Sequence, residues 1–106
     1  MKAQPRIPID HQWVAEFCRQ WRITEFALFG SVLRDDFGPD SDVDVLVRFA
    51  PDARWGLFDL CRMEEQLRAF FGRPVDLVTR DSIEQSENYI RRGAVLGSME
   101  VIHAAG

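Results

Sequence analysis

The residues from Ser41 to Phe49 constrain the fold more than any other part of the sequence. Side chains of a β-strand alternate between its two faces, and here one face is wholly apolar, with Val43, Val45, Val47 and Phe49. The other face carries two carboxylates and two further side chains, Asp42, Asp44, Leu46 and Arg48. The pattern therefore predicts a strand that buries one face and presents neighbouring carboxylates on the other.

Comparable patterns predict helices and strands along the rest of the chain. Apolar residues at helical spacing indicate helices, and alternating β-branched or aromatic residues indicate strands. In chain order the other predicted elements are a helix capped by Asp10, a strand over Ile23–Phe29, a helical turn over Val32–Asp35, a helix over Gly56–Phe71, a strand over Val75–Thr79, a helix from Asp81 or Ser82 to about Arg92 that ends at Gly93, and a strand over Met99–His103. The Gly56–Phe71 helix is expected to present one face made of Leu57, Leu60, Cys61, Glu64, Leu67 and Phe71.

Length and composition fit a single globular domain. The 106 residues, 46% hydrophobic and 28% charged, predict one domain, over residues 10–106. Pro5 and Pro8 before the Asp10 cap predict a mobile N-terminal lead-in over residues 1–9. The formal net charge of −4 disfavours direct binding to nucleic acid, which requires a positive field. No apolar run is long enough for a membrane span or a signal peptide. We therefore expect a cytosolic protein.

Some residues that often carry chemistry show no functional pattern here. Cys18 and Cys61 each lie in an apolar periodic segment, so both are expected to be buried free thiols. His11 and His103 lack ligand spacing to a second His or Cys, which favours a structural or solvent-exposed role. Trp55 fits either packing within a loop or an exposed contact.

Three aspartates on predicted strands are the strongest indication of chemistry, because Asp is depleted in strands. Asp42 and Asp44 share a strand face, and Asp76 would meet them if its strand lies beside theirs. Carboxylate oxygens are the ligands that Mg²⁺ prefers, usually together with substrate phosphates. Three neighbouring carboxylates would repel one another unless a divalent cation balanced their charge. The cluster therefore predicts a Mg²⁺ site.

Gly30 and Ser31 form a second candidate site. They lie where the Ile23–Phe29 strand gives way to a helical turn, and free N–H groups at such a point bind anions. A glycine also allows a phosphate to approach the backbone closely. Ten residues separate Ser31 from Asp42, so a phosphate site and a metal site are expected to serve one ligand.

The segment GSVLRDDFGPDSDVD resembles the signature of the nucleotidyltransferase superfamily related to DNA polymerase β. It is most similar to the minimal nucleotidyltransferase branch, whose members often pair with a HEPN-type ribonuclease toxin. The resemblance implies an α+β, polymerase β-like fold with a mixed sheet of about four strands and helices packed on one face. It also implies two Mg²⁺ ions and transfer of a nucleoside monophosphate from a nucleoside triphosphate, here AMP from ATP, to a hydroxyl.

The resemblance implies a role for each matched residue. Asp42 and Asp44 would hold the metals, and Asp76 would complete the metal site and activate the acceptor hydroxyl. Gly30 and Ser31 would bind the triphosphate. Arg34 would contact the leaving pyrophosphate, although a place on a solvated helical face fits it about as well. Family members often have Gly after this arginine, whereas Asp35 follows it here, which leaves the exact phosphate contact open.

The resemblance further implies an antitoxin that transfers AMP to a tyrosine of a HEPN-type toxin encoded nearby, in a hetero-oligomer. Two alternatives remain at this point: a binding module that masks the toxin without catalysis, and a nucleotidyltransferase that acts on a small molecule. The second would ordinarily need an added lobe, which 106 residues do not accommodate. The sequence leaves open the acceptor, the number of AMP units added, the base preference and the oligomeric state.

Overall fold

A computed structural model describes residues 7–33, 38 and 41–104. Its elements in chain order are α1 (His11–Trp21), β1 (Ile23–Phe29), a 3₁₀ turn (Gly30–Leu33), β2 (Val43–Phe49), α2 (Leu57–Phe71), β3 (Val75–Thr79), α3 (Arg80–Glu84), α4 (Tyr89–Ser98) and β4 (Glu100–Ala104). The predicted bounds of β1 and β3 are confirmed. The predicted cap of α1 is also confirmed, because the Asp10 carboxylate accepts from the Gln12 and Trp13 N–H groups at 3.1 Å.

The strands form one mixed sheet in the order β3-β2-β1-β4. β1 runs antiparallel to both β2 and β4, whereas β2 and β3 are parallel. The parallel pair requires a long crossover, which α2 supplies. The predicted α+β fold with a four-stranded mixed sheet is confirmed.

The main core lies between this sheet and the two long helices. Val43, Val45 and Val47 of β2 are buried as predicted, and Phe49 is half-buried against the same core. They pack with buried side chains of α1 and α2, including Val14, Phe17, Met63 and Leu67. Trp55 is half-buried, and its indole N–H donates to the Trp21 carbonyl at 2.8 Å. It is therefore a packing residue of the loop.

A smaller cluster covers the opposite face of the sheet. Leu46 and its neighbours Ala27 and Phe29 pack there with Ile83 of α3 and Val95 of α4. The helices thus lie on both faces of the sheet, whereas the sequence predicted helices on one face only. This second layer covers the middle of the face from which Asp44 projects.

The predicted helix from Asp81 or Ser82 to Arg92 is wrong, because the chain forms two helices there. The Thr79 hydroxyl caps α3 by accepting from the Ser82 N–H at 3.2 Å. The Asn88 side chain then caps α4 by accepting from the Arg91 N–H at 3.0 Å. Gly93 lies inside α4 and does not end a helix. Side-chain oxygens compete with helical hydrogen bonds in this way and start new helices.

The predicted buried face of α2 is partly wrong. Leu67 is buried and Leu60 and Phe71 pack against the core, but Met63 replaces Cys61 on the buried face. Leu57, in the first turn of the helix after the Gly56 cap, is 74% exposed.

Some predictions fall on residues that the structure does not describe. Of the predicted lead-in over residues 1–9, residues 7–9 are described, and Ile7 and Ile9 pack against the main core. Asp35, the predicted end of the helical turn, lies outside the described residues. Among the described residues, no helix combines the length and apolar character that crossing a bilayer requires.

The two cysteines differ in environment, so the prediction that both are buried holds for Cys18 and is wrong for Cys61. Both are free, and Cys61 is exposed. Burial raises the pKa of the Cys18 thiol to about 12. Because the thiolate is the reactive form, we expect Cys18 to stay inert at pH 8.

A thiol titration of the native protein checks this difference. One thiol is expected to react quickly at pH 8, and the second only after denaturation. Cys61→Ser is expected to remove the fast phase, whereas fast reaction of that variant would contradict the burial of Cys18.

Candidate active site

The sheet brings Asp44 and Asp76 onto neighbouring strands. They are direct register partners in the parallel β2–β3 pair, and adjacent strands lie about 4.8 Å apart. Residues paired in register project from the same face of a sheet. Asp44 is half-buried and Asp76 is exposed. The pair therefore meets solvent at the end of the sheet where β2 and β3 begin.

Gly30 lies directly against the Asp44 side chain. Its φ is +77°, a left-handed conformation that costs little only for glycine. A Cβ at this position would collide with the Asp44 carboxylate oxygen and lie 3.2 Å from its Cγ. The antiparallel pairing of Phe29 with Asp44 produces this close approach. Gly30 thus makes room for the carboxylate, a function that the sequence did not reveal.

Ser31 and Asp42 meet through the backbone. The Ser31 hydroxyl donates to the Asp42 carbonyl at 3.3 Å, which ties the 3₁₀ turn to the residue that precedes β2. The Asp42 side chain is exposed. The sequence placed this residue on the strand, but β2 begins at Val43.

Arg73 is a residue of this region that the sequence did not reveal. It is half-buried in the turn between α2 and β3. Its guanidinium donates to the carbonyls of Gly38 and Ser41 at 3.0 and 3.4 Å. It belongs to no apolar periodicity or motif, so its contacts became apparent only from the tertiary structure.

The donor set fits a metal that is shared with a bound phosphate. Among the described residues, no group of three or more His, Cys, Asp or Glu side chains is arranged to hold a metal by itself. Mg²⁺ is usually held by one or two carboxylates together with substrate phosphates and water. The register pair Asp44 and Asp76, with Asp42 two residues upstream, supplies donors of that kind.

Two further observations define the extent of this site. Arg34, the predicted phosphate contact, lies outside the described residues. A cavity of about 560 Å³ lies at the opposite ends of β2 and β3, lined by residues that include Phe49, Trp55, Thr79 and Asp81. None of the predicted site residues lines it.

Comparison with protein families identifies a nucleotidyltransferase domain over residues 12–96. The protein adenylyltransferase MntA of Thermococcus cleftensis is 36% identical over 69 residues, which are 65% of this chain and 68% of that protein. Three relatives from Methanocaldococcus jannaschii are 31% to 37% identical over 54% to 60% of this chain. The chain spans 59% to 64% of their length.

Solved structures share the fold. One structure, described as a minimal nucleotidyltransferase, has a TM-score of 0.65 at 28% identity. The match covers 85% of this chain and 86% of that one. A toxin–antitoxin structure with AMP-PNP has a TM-score of 0.69 at 16% identity, covering 92% of this chain and 75% of that one. A chain from the Shewanella oneidensis complex of a tri-AMPylated HEPN toxin with an MNT antitoxin has a TM-score of 0.61 at 16% identity. This match covers 90% of the present chain and 70% of that one.

The last two similarities support the fold alone. The family match, in contrast, spans most of the chain and includes Gly30, Asp44 and Asp76. The chain therefore belongs to the nucleotidyltransferase domain family.

Proposed function

We propose that this protein transfers AMP from ATP to a hydroxyl group of a partner protein, and that it depends on Mg²⁺. The observation that carries the proposal is the register pairing of Asp44 with Asp76, beside a glycine that accommodates the Asp44 carboxylate. Carboxylates at one end of a sheet, next to the 3₁₀ turn that begins at Gly30, suit a ligand that combines metal and phosphate.

Each residue has a role in this proposal. Asp42, Asp44 and Asp76 would hold Mg²⁺ together with the triphosphate, and the ion would offset the negative charge of the attacking and leaving oxygens. Gly30 and Ser31 bind the triphosphate through their backbone, and Arg34 pairs with the pyrophosphate. The acceptor oxygen forms a bond to the α-phosphorus of ATP, the bond to pyrophosphate breaks, and the Asp76 carboxylate takes the acceptor proton.

We further propose that the acceptor is a tyrosine of a HEPN-type toxin encoded nearby, so that the protein acts as its antitoxin. The name of the Thermococcus cleftensis relative, a protein adenylyltransferase, supports a protein acceptor. The shared fold with an antitoxin bound to an AMPylated HEPN toxin supports the choice of partner. The net charge of −4 would favour a basic partner, such as a protein that binds RNA phosphates.

Position-specific labelling of ATP tests this reaction. The protein is incubated with the purified toxin from the neighbouring reading frame and with ATP labelled at either the α- or the γ-phosphate. Label from the α-phosphate alone is expected on the toxin. Label from the γ-phosphate would show phosphorylation instead, and no label on a neutralised toxin would favour masking without catalysis.

Nucleotide binding is expected to depend on Mg²⁺, because the carboxylates would otherwise repel the triphosphate. Calorimetry with AMP-PNP is expected to show at least roughly tenfold weaker binding in excess EDTA than in Mg²⁺. Equal affinity under the two conditions would contradict the metal role of the aspartates.

Asp76→Asn is expected to reduce transfer far more than nucleotide binding, because Asp76 is proposed to act on the acceptor hydroxyl as well as on the metal. Its rate of transfer and its AMP-PNP affinity are compared with those of Asp42→Asn. If Asp76→Asn loses affinity as completely as Asp42→Asn does, the role as a base is not supported.

A further inference from the structure

The backbone of the segment that contains Asp42 is held on several sides. The exposed Asp42 side chain gains little orientation from packing, so its position depends on the main chain. Ser31 donates to the Asp42 carbonyl at 3.3 Å, and the Val43 N–H donates to the Pro74 carbonyl at 2.9 Å. These contacts tie the entry to β2 both to the 3₁₀ turn and to the α2–β3 turn.

Arg73 adds a third restraint immediately before Asp42. Its Nη1 donates to the carbonyl of Ser41 at 3.4 Å and to the carbonyl of Gly38 at 3.0 Å. The ends of the Gly38–Ser41 segment are also joined directly, because the Ser41 N–H donates to the Gly38 carbonyl at 3.1 Å. The Gly38 N–H in turn donates to the Ser41 hydroxyl at 3.0 Å. One guanidinium thus contacts both Gly38 and Ser41, and Ser41 immediately precedes Asp42.

The α2–β3 turn directs Arg73 toward this segment. Gly72 ends α2 in a left-handed conformation, with φ +71°, and its N–H donates to the Arg68 carbonyl at 2.8 Å. Arg73 follows this reversal, and Pro74 then pairs with the start of β2. The turn that begins β3, the strand of Asp76, therefore also positions the residue before Asp42.

From these contacts we propose that Arg73 is a positioning residue for nucleotide and Mg²⁺ binding, which it supports by fixing the main chain at Ser41 and Asp42. The proposal rests on the proposed function of the site. Donors with a full charge form stronger hydrogen bonds than neutral donors. Residues that orient metal ligands typically change metal affinity by roughly 10- to 100-fold when they are removed.

Calorimetry with AMP-PNP over a range of Mg²⁺ concentrations tests the proposal. For Arg73→Met we expect at least roughly tenfold weaker Mg²⁺-dependent binding, partly restored by higher Mg²⁺. Arg73→Lys keeps a charged donor and is expected to recover most of the affinity. Arg68→Met is a matched control, because Arg68 is an exposed arginine in the last turn of α2, and it is expected to bind as the unaltered protein does.

Circular dichroism establishes whether each variant is folded. If Arg73→Met does not fold, Arg73→Gln takes its place, since its neutral, shorter amide cannot replace the charged guanidinium that donates to the Gly38 and Ser41 carbonyls. Its expected loss is at least roughly threefold, the effect of one hydrogen bond. Unchanged Mg²⁺-dependent binding in the folded test variant overturns the role of Arg73. If the unaltered protein itself shows no Mg²⁺-dependent binding, the proposed function fails, and the role of Arg73 fails with it.

Discussion

Asp44→Asn is expected to abolish AMP transfer and to leave the fold intact. The carboxylate lies against Gly30 and beside Asp76, where it is proposed to hold Mg²⁺. Losing a residue that only orients a metal ligand costs roughly 10- to 100-fold, so loss of a ligand itself is expected to cost at least about 100-fold in rate. Removing one of several neighbouring negative charges should not destabilise the metal-free protein.

Loss of activity is measured as the rate of AMP transfer to the partner. Retention of the fold is measured by thermal unfolding of the variant. Asp52→Asn is a suitable control, because Asp52 is an exposed residue paired with Arg22 beyond the far end of β2. It should transfer AMP at the unaltered rate. An Asp44→Asn protein that retains that rate, or one that unfolds, would contradict the assignment.

Gly30→Ala is expected to reduce both stability and transfer. Holding a residue with a Cβ in the left-handed conformation costs about 1–2 kcal/mol, and the added methyl group would collide with the Asp44 carboxylate. The free energy of unfolding should therefore decrease by at least that amount, as measured in denaturant. Displacement of the Asp44 carboxylate should also weaken Mg²⁺-dependent nucleotide binding.

Gly93→Ala is a matched control, because the same replacement is expected here to leave stability unchanged or to increase it. Gly93 lies inside α4 with no heavy atom within 4 Å of an added Cβ. Alanine is favoured over glycine in a helix interior by about 1 kcal/mol, so this variant should be as stable as the unaltered protein or more stable. A Gly30→Ala protein that behaves like Gly93→Ala would show that Gly30 need not accommodate Asp44.

Alternating β-branched or aromatic residues made β1, β2 and β3 predictable. Alternation defined the bounds of β1 and β3, and it correctly predicted that Val43, Val45 and Val47 of β2 are buried, but not that Leu46, on the same face as Asp44, is buried too. Pairing could not be read in the same way, because a strand's pattern does not specify its neighbour. The register of Asp44 with Asp76 depends on the α2 crossover and on the tertiary fold.

Helix ends and backbone contacts were harder to predict. The cap at Asp10 lies before a clear apolar stripe, whereas Thr79 and Asn88 cap short helices that have no comparable signal. The contacts around Asp42 were likewise not predictable from the sequence pattern. The sequence predicts that Gly30 and Ser31 bind phosphate, but the accommodation of Asp44 by Gly30 and the contacts of Arg73 depend on residues distant in sequence.

Intact mass spectrometry of the partner toxin tests the central claim most directly. The protein is co-expressed with the toxin from the adjacent reading frame, and Asp44→Asn is co-expressed in parallel. We expect the toxin to gain the mass of one or more AMP units with the unaltered protein and none with Asp44→Asn. An unmodified toxin that is nevertheless neutralised by the unaltered, ATP-supplied protein would contradict AMP transfer and establish masking as the mechanism.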